Sequence, residues 1–192
     1  MTSRDRSIAA VALGVLVAAV VCMFAARSAL VPGLSPFGET TQVRHVPGVA
    51  LVDDRGALLR LDAPARDEVL VLGYTRCTDQ CPLTLANVAV ALRELTPNAR
   101  PAAYFVTVDP THDDGHTLRH YLGAWNNTIV GVTGAPPALN AVALALGAGD
   151  ASRSPGDHDT RLFIVDHFGA VRQELSPDAT PTAIVQALRA DT

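Results

Sequence analysis

The chain has 192 residues, 48% of them apolar, and a formal net charge of −4 at pH 7. Without a run of Lys and Arg, that balance excludes a basic nucleic-acid-binding surface. Once an apolar leader is set aside, about 150 residues remain, enough for one domain with a real core.

The first element in chain order is an unbroken apolar run without a charge, Ile8 to Ala26, IAAVALGVLVAAVVCMFAA. At about 1.5 Å per residue it makes roughly 29 Å of helix, enough to cross the hydrocarbon core of a bilayer. It reads as a membrane span or uncleaved signal anchor, with a cleaved signal peptide as the rival. Arg4 and Arg6 precede the run and only Arg27 follows it closely. Positive charge therefore keeps the N-terminal side in the cytoplasm and puts the remaining chain outside it. Residues 1–27 are the expected anchor, 28–42 a linker rich in Pro, Gly, Ser and Thr, and 43–192 the domain. Cys22 follows Val21, a poor residue to precede a lipidated cysteine, and reads as a thiol within the span.

The domain opens with QVRHVPGVALVDDRGALLRL, which predicts a β-hairpin turning at Asp53-Asp54-Arg55-Gly56. EVLVLGYT, residues 68 to 75, is a short apolar run of the kind buried in a central parallel strand. A helix opens around Pro82, with Leu85, Val88, Ala89, Leu92 and Leu95 recurring at three and four, and stops before Pro97. PAAYFVTVD is a second buried strand, and residues 114 to 125 form a helix with Leu118, Tyr121, Leu122 and Trp125 on one face. TIVGVTG reads as an edge strand and PPALNAVALALGA as a further helix. TRLFIVDHFGAVRQEL predicts two strands around a turn at Asp166 to Gly169, and the last helix has Thr180 as N-cap and Pro181 at its first position. This order describes an α/β sandwich: a thioredoxin-like fold carrying an N-terminal β-hairpin and an insertion, behind one N-terminal transmembrane helix.

The chemistry concentrates in GYTRCTDQCPLTL, residues 73 to 85. Cys77 falls in the loop after a central strand and Cys81 in the first turn of the next helix, where free N–H groups and the helix dipole favour thiolates. Metal binding and disulfide exchange both use the thiolate. A pair four apart in regular helix has Cβ atoms about 5–6 Å apart, wider than the roughly 3.5–4.5 Å of a disulfide. With Cys77 in an adaptable loop, both chemistries stay open. In a thioredoxin-like layout, SPGDHDTRLFIVD brings His158 beside the start of that helix, as a third ligand. Two thiolates and an imidazole suit copper as Cu(I) or Cu(II), and zinc acceptably.

The chain resembles the Sco/SenC family of copper chaperones. The cysteine segment matches that family's motif at Gly73, Tyr74, Thr75, Cys77, Asp79, Cys81, Pro82 and Leu85, and departs at Thr78, where a proline is usual. TVDPTHD, with Asp109, Pro110 and Asp113, is similar to a second family segment. Asp157-His158 and the turn DHFG are similar to a third and a fourth. The resemblance covers about residues 40 to 190. It implies a thioredoxin-like domain behind a membrane anchor, copper held by Cys77, Cys81 and His158, and a role in delivering copper to, or reducing the cysteines of, the binuclear copper site of cytochrome c oxidase.

Other polar residues have plainer readings. Asp79 either orients a ligand or caps the helix, and Asp113 reads as a helix N-terminal residue. His112, His116 and His120 recur at four and read first as a solvated face and second as an auxiliary metal site. His45 and His167 read as structural. The leading expectation is an extracytoplasmic metallochaperone that works by ligand exchange, rather than an enzyme. The alternative is a membrane-anchored thiol–disulfide oxidoreductase using Cys77 and Cys81. A peroxidase of the same fold lacks its expected Pro-x-x-x-Thr/Ser-x-x-Cys motif.

Overall fold

A computed structural model describes residues 43–126, 128–149 and 160–190. The expected anchor at 8–26, the linker, Cys22 and His158 lie outside those residues. Among the described residues no helix is long and apolar enough to cross a membrane.

The hairpin forms as the sequence predicts, from β1 (Leu51–Asp53) and β2 (Leu58–Leu59). The Asp53 carboxylate accepts from Arg55 N and Ala57 N, and Gly56 takes the positive φ of 88° that closes the turn. Then follow β3 (Glu68–Gly73), α1 (Gln80–Glu94), β4 (Ala102–Thr107) and α2 (Gly115–Leu122) with a 3₁₀ turn at Gly123–Trp125. β5 (Val130–Thr133), α3 (Pro136–Ala145), β6 (Arg161–Val165), β7 (Val171–Leu175) and α4 (Pro181–Arg189) complete the chain. The strands make one seven-stranded sheet in the order β2-β1-β5-β4-β3-β6-β7. Setting aside the hairpin and the inserted α2–β5 unit leaves β-α-β-α-β-β-α, the thioredoxin arrangement.

One expectation is overturned. TIVGVTG supplies β5, which is no edge: β1 pairs with it antiparallel through Val52↔Thr133 and Asp53↔Val132, and β4 pairs with it parallel on the other side. The hairpin covers the side that would otherwise expose its N–H and C=O groups.

Every residue of β3 is buried. Val69 and Val71 face a core shared with Leu85, Val88 and Leu92 of α1, Leu118 of α2 and Ile184 of α4. Leu70 and Leu72 face a second core with Val142 and Leu146 of the α3 segment and Phe163 of β6. The period of two along a strand assigns alternate residues to the two layers, and each such burial contributes roughly 1.5–3 kcal/mol. β3 runs parallel to β4 and antiparallel to β6. Its C-terminal end therefore delivers the cysteine loop to one end of the sheet.

At the other end of β3, Glu68 is only 5% exposed and its Oε2 has no hydrogen-bond partner among the described residues. Burial pushes this carboxyl from 4.5 up to about 7. Between those values the unfolded chain is ionised while the folded chain keeps its proton, so stability falls as pH rises through that window and levels off above it. Glu68→Gln removes this dependence. In denaturant melts the stability gap between variant and wild type should shift in the variant's favour by at most about 3 kcal/mol from about pH 4 to about pH 8. A gap that does not change with pH would show that Glu68 titrates normally.

Candidate metal centre

The loop from Gly73 to α1 is built around two thiols in unlike surroundings. Cys81 is the second residue of α1 and fully buried, whereas Cys77 lies in the loop, half-buried. Both are free thiols, and Cys81 N–H points at Cys77 Sγ from 3.5 Å. Gly73 makes room for this packing: a Cβ there would stand 2.7 Å from Cys81 Sγ and 2.7 Å from the Phe105 ring. Any side chain at position 73 would therefore displace the buried sulfur or the ring beneath it.

The surroundings separate the two thiols electrostatically. Burial would raise Cys77, but N–H groups of Cys81, Asp79 and Gln80 and the Cys81 thiol oppose it, and the thiol ends below its ordinary value. Burial pushes Cys81 up to about 11, against the relief offered by Thr160. Thr160 Oγ1 lies 3.2 Å from Cys81 Sγ. Tyr121 sits in the same core cluster, its hydroxyl buried without a partner among the described residues, and burial and then the charges of Cys81 and Cys77 raise it.

The loop is held from behind by the segment after β4. Asp113, fully buried, accepts from Thr75 N at 3.0 Å, Thr75 Oγ1 at 2.5 Å and Thr107 Oγ1 at 2.6 Å. Asp109 binds Arg76 at 2.6 Å and His112 Nδ1 at 2.9 Å. Burial would raise Asp109, but the bonds from His112, Thr111 and Arg76 keep it below the usual carboxylate range. The two residues before Cys77 are thus each fastened by a buried carboxyl.

Residues 39–191 match the family described as SCO1/SenC. The chain belongs to this family. It is 32% identical over 134 residues to the SCO2 homolog of Bos taurus, covering 67% of this chain and 49% of that protein. It is 29% identical over 138 residues to a putative copper-binding protein of Stutzerimonas stutzeri, covering 67% of this chain and 68% of that one. The chain thus spans about half of one relative and two thirds of the other. Yeast Sco1 with copper bound superposes with a TM-score of 0.63 at 20% identity, over 74% of this chain and 89% of that one. BsSco, described with a disulfide switch as a member of the Sco family of cytochrome c oxidase assembly proteins, superposes with a TM-score of 0.64 at 17% identity, over 78% and 94%. These two likenesses show the thioredoxin-like fold of Sco proteins.

Within this SCO1/SenC domain, the structure joins two of the four similar segments directly: the cysteine segment and TVDPTHD meet through Thr75, Arg76, Asp109 and Asp113. The DHFG turn lies elsewhere. Glu68 pairs with Val165, so the turn at Asp166–Gly169 closes the end of the sheet opposite the cysteines. There Gly169, at φ 76°, packs on the Asp62 carbonyl, where a Cβ would meet the oxygen at 2.3 Å. His45 bridges to Ala170 and His167 stacks on Phe168, both at that far end. A hollow of about 700 Å³ lined by Arg66, Asn98, Arg100 and His167 also lies there, away from the thiols.

Asp79 occupies the N-cap position without a side-chain cap bond; its backbone N–H serves Cys77 instead. Asp113 precedes the N-cap of α2, which is Asp114, accepting from Thr117 N at 2.7 Å. Thr160 was not singled out in the sequence. Its only signal there is its position two residues after His158.

Two outcomes follow. Asp113→Ala should lower stability by about 3 kcal/mol in denaturant melts, because it strips a buried backbone N–H and two hydroxyls of their acceptor. An unchanged midpoint would show that the clasp carries no load. In iodoacetamide labelling read by mass spectrometry, Cys77 should react first, with a half-maximal pH below that of a free thiol, while Cys81 stays protected. Equal labelling of both would contradict the assigned surroundings.

Proposed function

We propose that this SCO1/SenC-family chain is an extracytoplasmic copper-binding assembly factor that delivers copper to, or matures the thiols of, the binuclear copper site of a cytochrome c oxidase. The single observation that carries the reading is the thiol pair. Two soft donors approach each other at the mouth of a rigid strand, one of them half-exposed and biased toward thiolate. Soft thiolates select copper over harder ions. The S. stutzeri relative named for copper binding, copper-bound yeast Sco1 and the description of BsSco support the same reading.

Cys77, Cys81 and His158 are the proposed ligands. Thr160, which follows His158 by two residues in the sequence, touches Cys81 Sγ, and this supports His158 as the third ligand. Copper is the cargo. Cys77, half-exposed, is the donor an acceptor's ligands reach first, and Cys81 is the buried one that releases last. The apolar run at 8–26 supports a single-pass location in the cytoplasmic membrane, with the domain on the outer side. In this reading the partners are that membrane and a cytochrome c oxidase subunit or another cuproprotein.

One observation favours the second reading, a thiol–disulfide oxidoreductase. A half-exposed, lowered Cys77 beside a buried, raised Cys81 is the asymmetry of an attacking and a resolving thiol. Anaerobic copper titration of the chain against His158→Ala separates the two. The chaperone reading expects one copper per chain, with affinity falling at least about tenfold in the variant. Equal weak binding by both, with full disulfide-reductase activity in the variant, would overturn it in favour of the redox reading.

A further inference from the structure

His112, His116 and His120, equally spaced in the sequence, do not behave alike. His112 precedes α2, and Asp109 holds its Nδ1 at 2.9 and 3.0 Å. His116 and His120 lie within α2, four residues apart, and both are exposed. Residues at that spacing sit one above the other on a helix face, with Cβ atoms about 5–6 Å apart.

The helix is held so that this face points outward. Leu118 and Leu122 are buried in the core with α1 and β4, and Asp114 caps the first turn. Arg119 donates to the Asp54 carbonyl in the β1–β2 turn. Its guanidinium is thus drawn toward the hairpin. Gly123 continues the stripe of His116 and His120, and a Cβ there would meet nothing within 4 Å. The space beside His120 is therefore open. The Asp114 carboxylate lies close enough to His116 to interact with it, and contributes negative charge without leaving its cap.

We propose that His116 and His120 form a divalent-copper site on the outer face of α2, separate from the cysteine pair. The two imidazoles supply two adjacent nitrogen ligands and water the rest, since among the described residues no group of three or more His, Cys, Asp or Glu is arranged for a metal. Of the common divalent ions, Cu(II) binds nitrogen ligands most tightly and accepts two adjacent nitrogens in a tetragonal plane. A structural zinc site asks for four protein ligands. The site is shallow and exchangeable. It stands whether or not the cysteines carry copper.

The test uses the full chain with Cys77→Ser and Cys81→Ser, so that thiols neither bind nor reduce the probe, titrated with copper(II) sulfate in a buffer that does not coordinate the metal. Electron paramagnetic resonance should show one equivalent bound ahead of the rest, with splitting from two nitrogens. His116→Ala and His120→Ala, singly and together, should weaken that equivalent at least about tenfold, while His112→Ala leaves it unchanged. Both changed positions are exposed and alanine favours helix, so the fold is kept, and circular dichroism checks this. The proposal is overturned if no early equivalent appears, if the two-nitrogen signal survives the double substitution, or if His112→Ala abolishes it.

Discussion

The buried carboxyl of Asp113 governs the geometry of the cysteine loop. A loop leaving a strand has two soft dihedrals per residue, and a site built on it is only as defined as its fixings. Here the fixings come from a separate segment, brought alongside by the parallel pairing of β3 with β4. Asp113 satisfies Thr75 through both backbone and hydroxyl and is itself steadied by Thr107. Asp109 holds the Arg76 guanidinium. By the time the chain reaches Cys77, little freedom remains upstream of the sulfur.

Downstream, the fixing is the helix. Its first turn offers N–H groups that have no partner within the helix, and Cys77 Sγ collects them, whereas Cys81 has turned inward under Gly73. One motif thus yields two thiols of opposite character. The difference comes from burial and backbone donors, with no cationic side chain required. That arrangement serves metal exchange and electron exchange alike, because each begins with a single accessible thiolate.

Much of the fold was legible in the sequence because its signals are local. The continuous apolar run of β3, the three-and-four spacing of α1, the Asp-rich turn of the hairpin and the Thr180-Pro181 start of α4 all appear where periodicity and turn chemistry put them. The position of β5 was not legible, because alternation within a strand says nothing about which distant strand pairs with it. Among site residues, Cys77 and Cys81 were readable from type and spacing. The roles of Asp113 and Asp114 were not. Adjacent and chemically identical, one clasps a loop 38 residues upstream and the other caps a helix. Thr160 carries no reactive group, so only its approach to Cys81 distinguishes it. The three evenly spaced histidines divided because the helix begins after the first of them.

Strand β6 joins the two ends of the domain, with Thr160 at the thiols and the Asp166–Gly169 turn at the other end. That turn is also where the beginning of the described chain is stitched down, by Val46 N to Gly169 O, Val171 N to Arg44 O and the His45–Ala170 bridge. The Arg44 side chain adds bonds to Leu146 O and Glu174. β6 lies behind them, held by β3 on one side and β7 on the other. Fraying of these bonds leaves the pairing of β6 with β3 and β7 in place, so the start of the described chain can loosen without unpairing the strand that leads to the thiols.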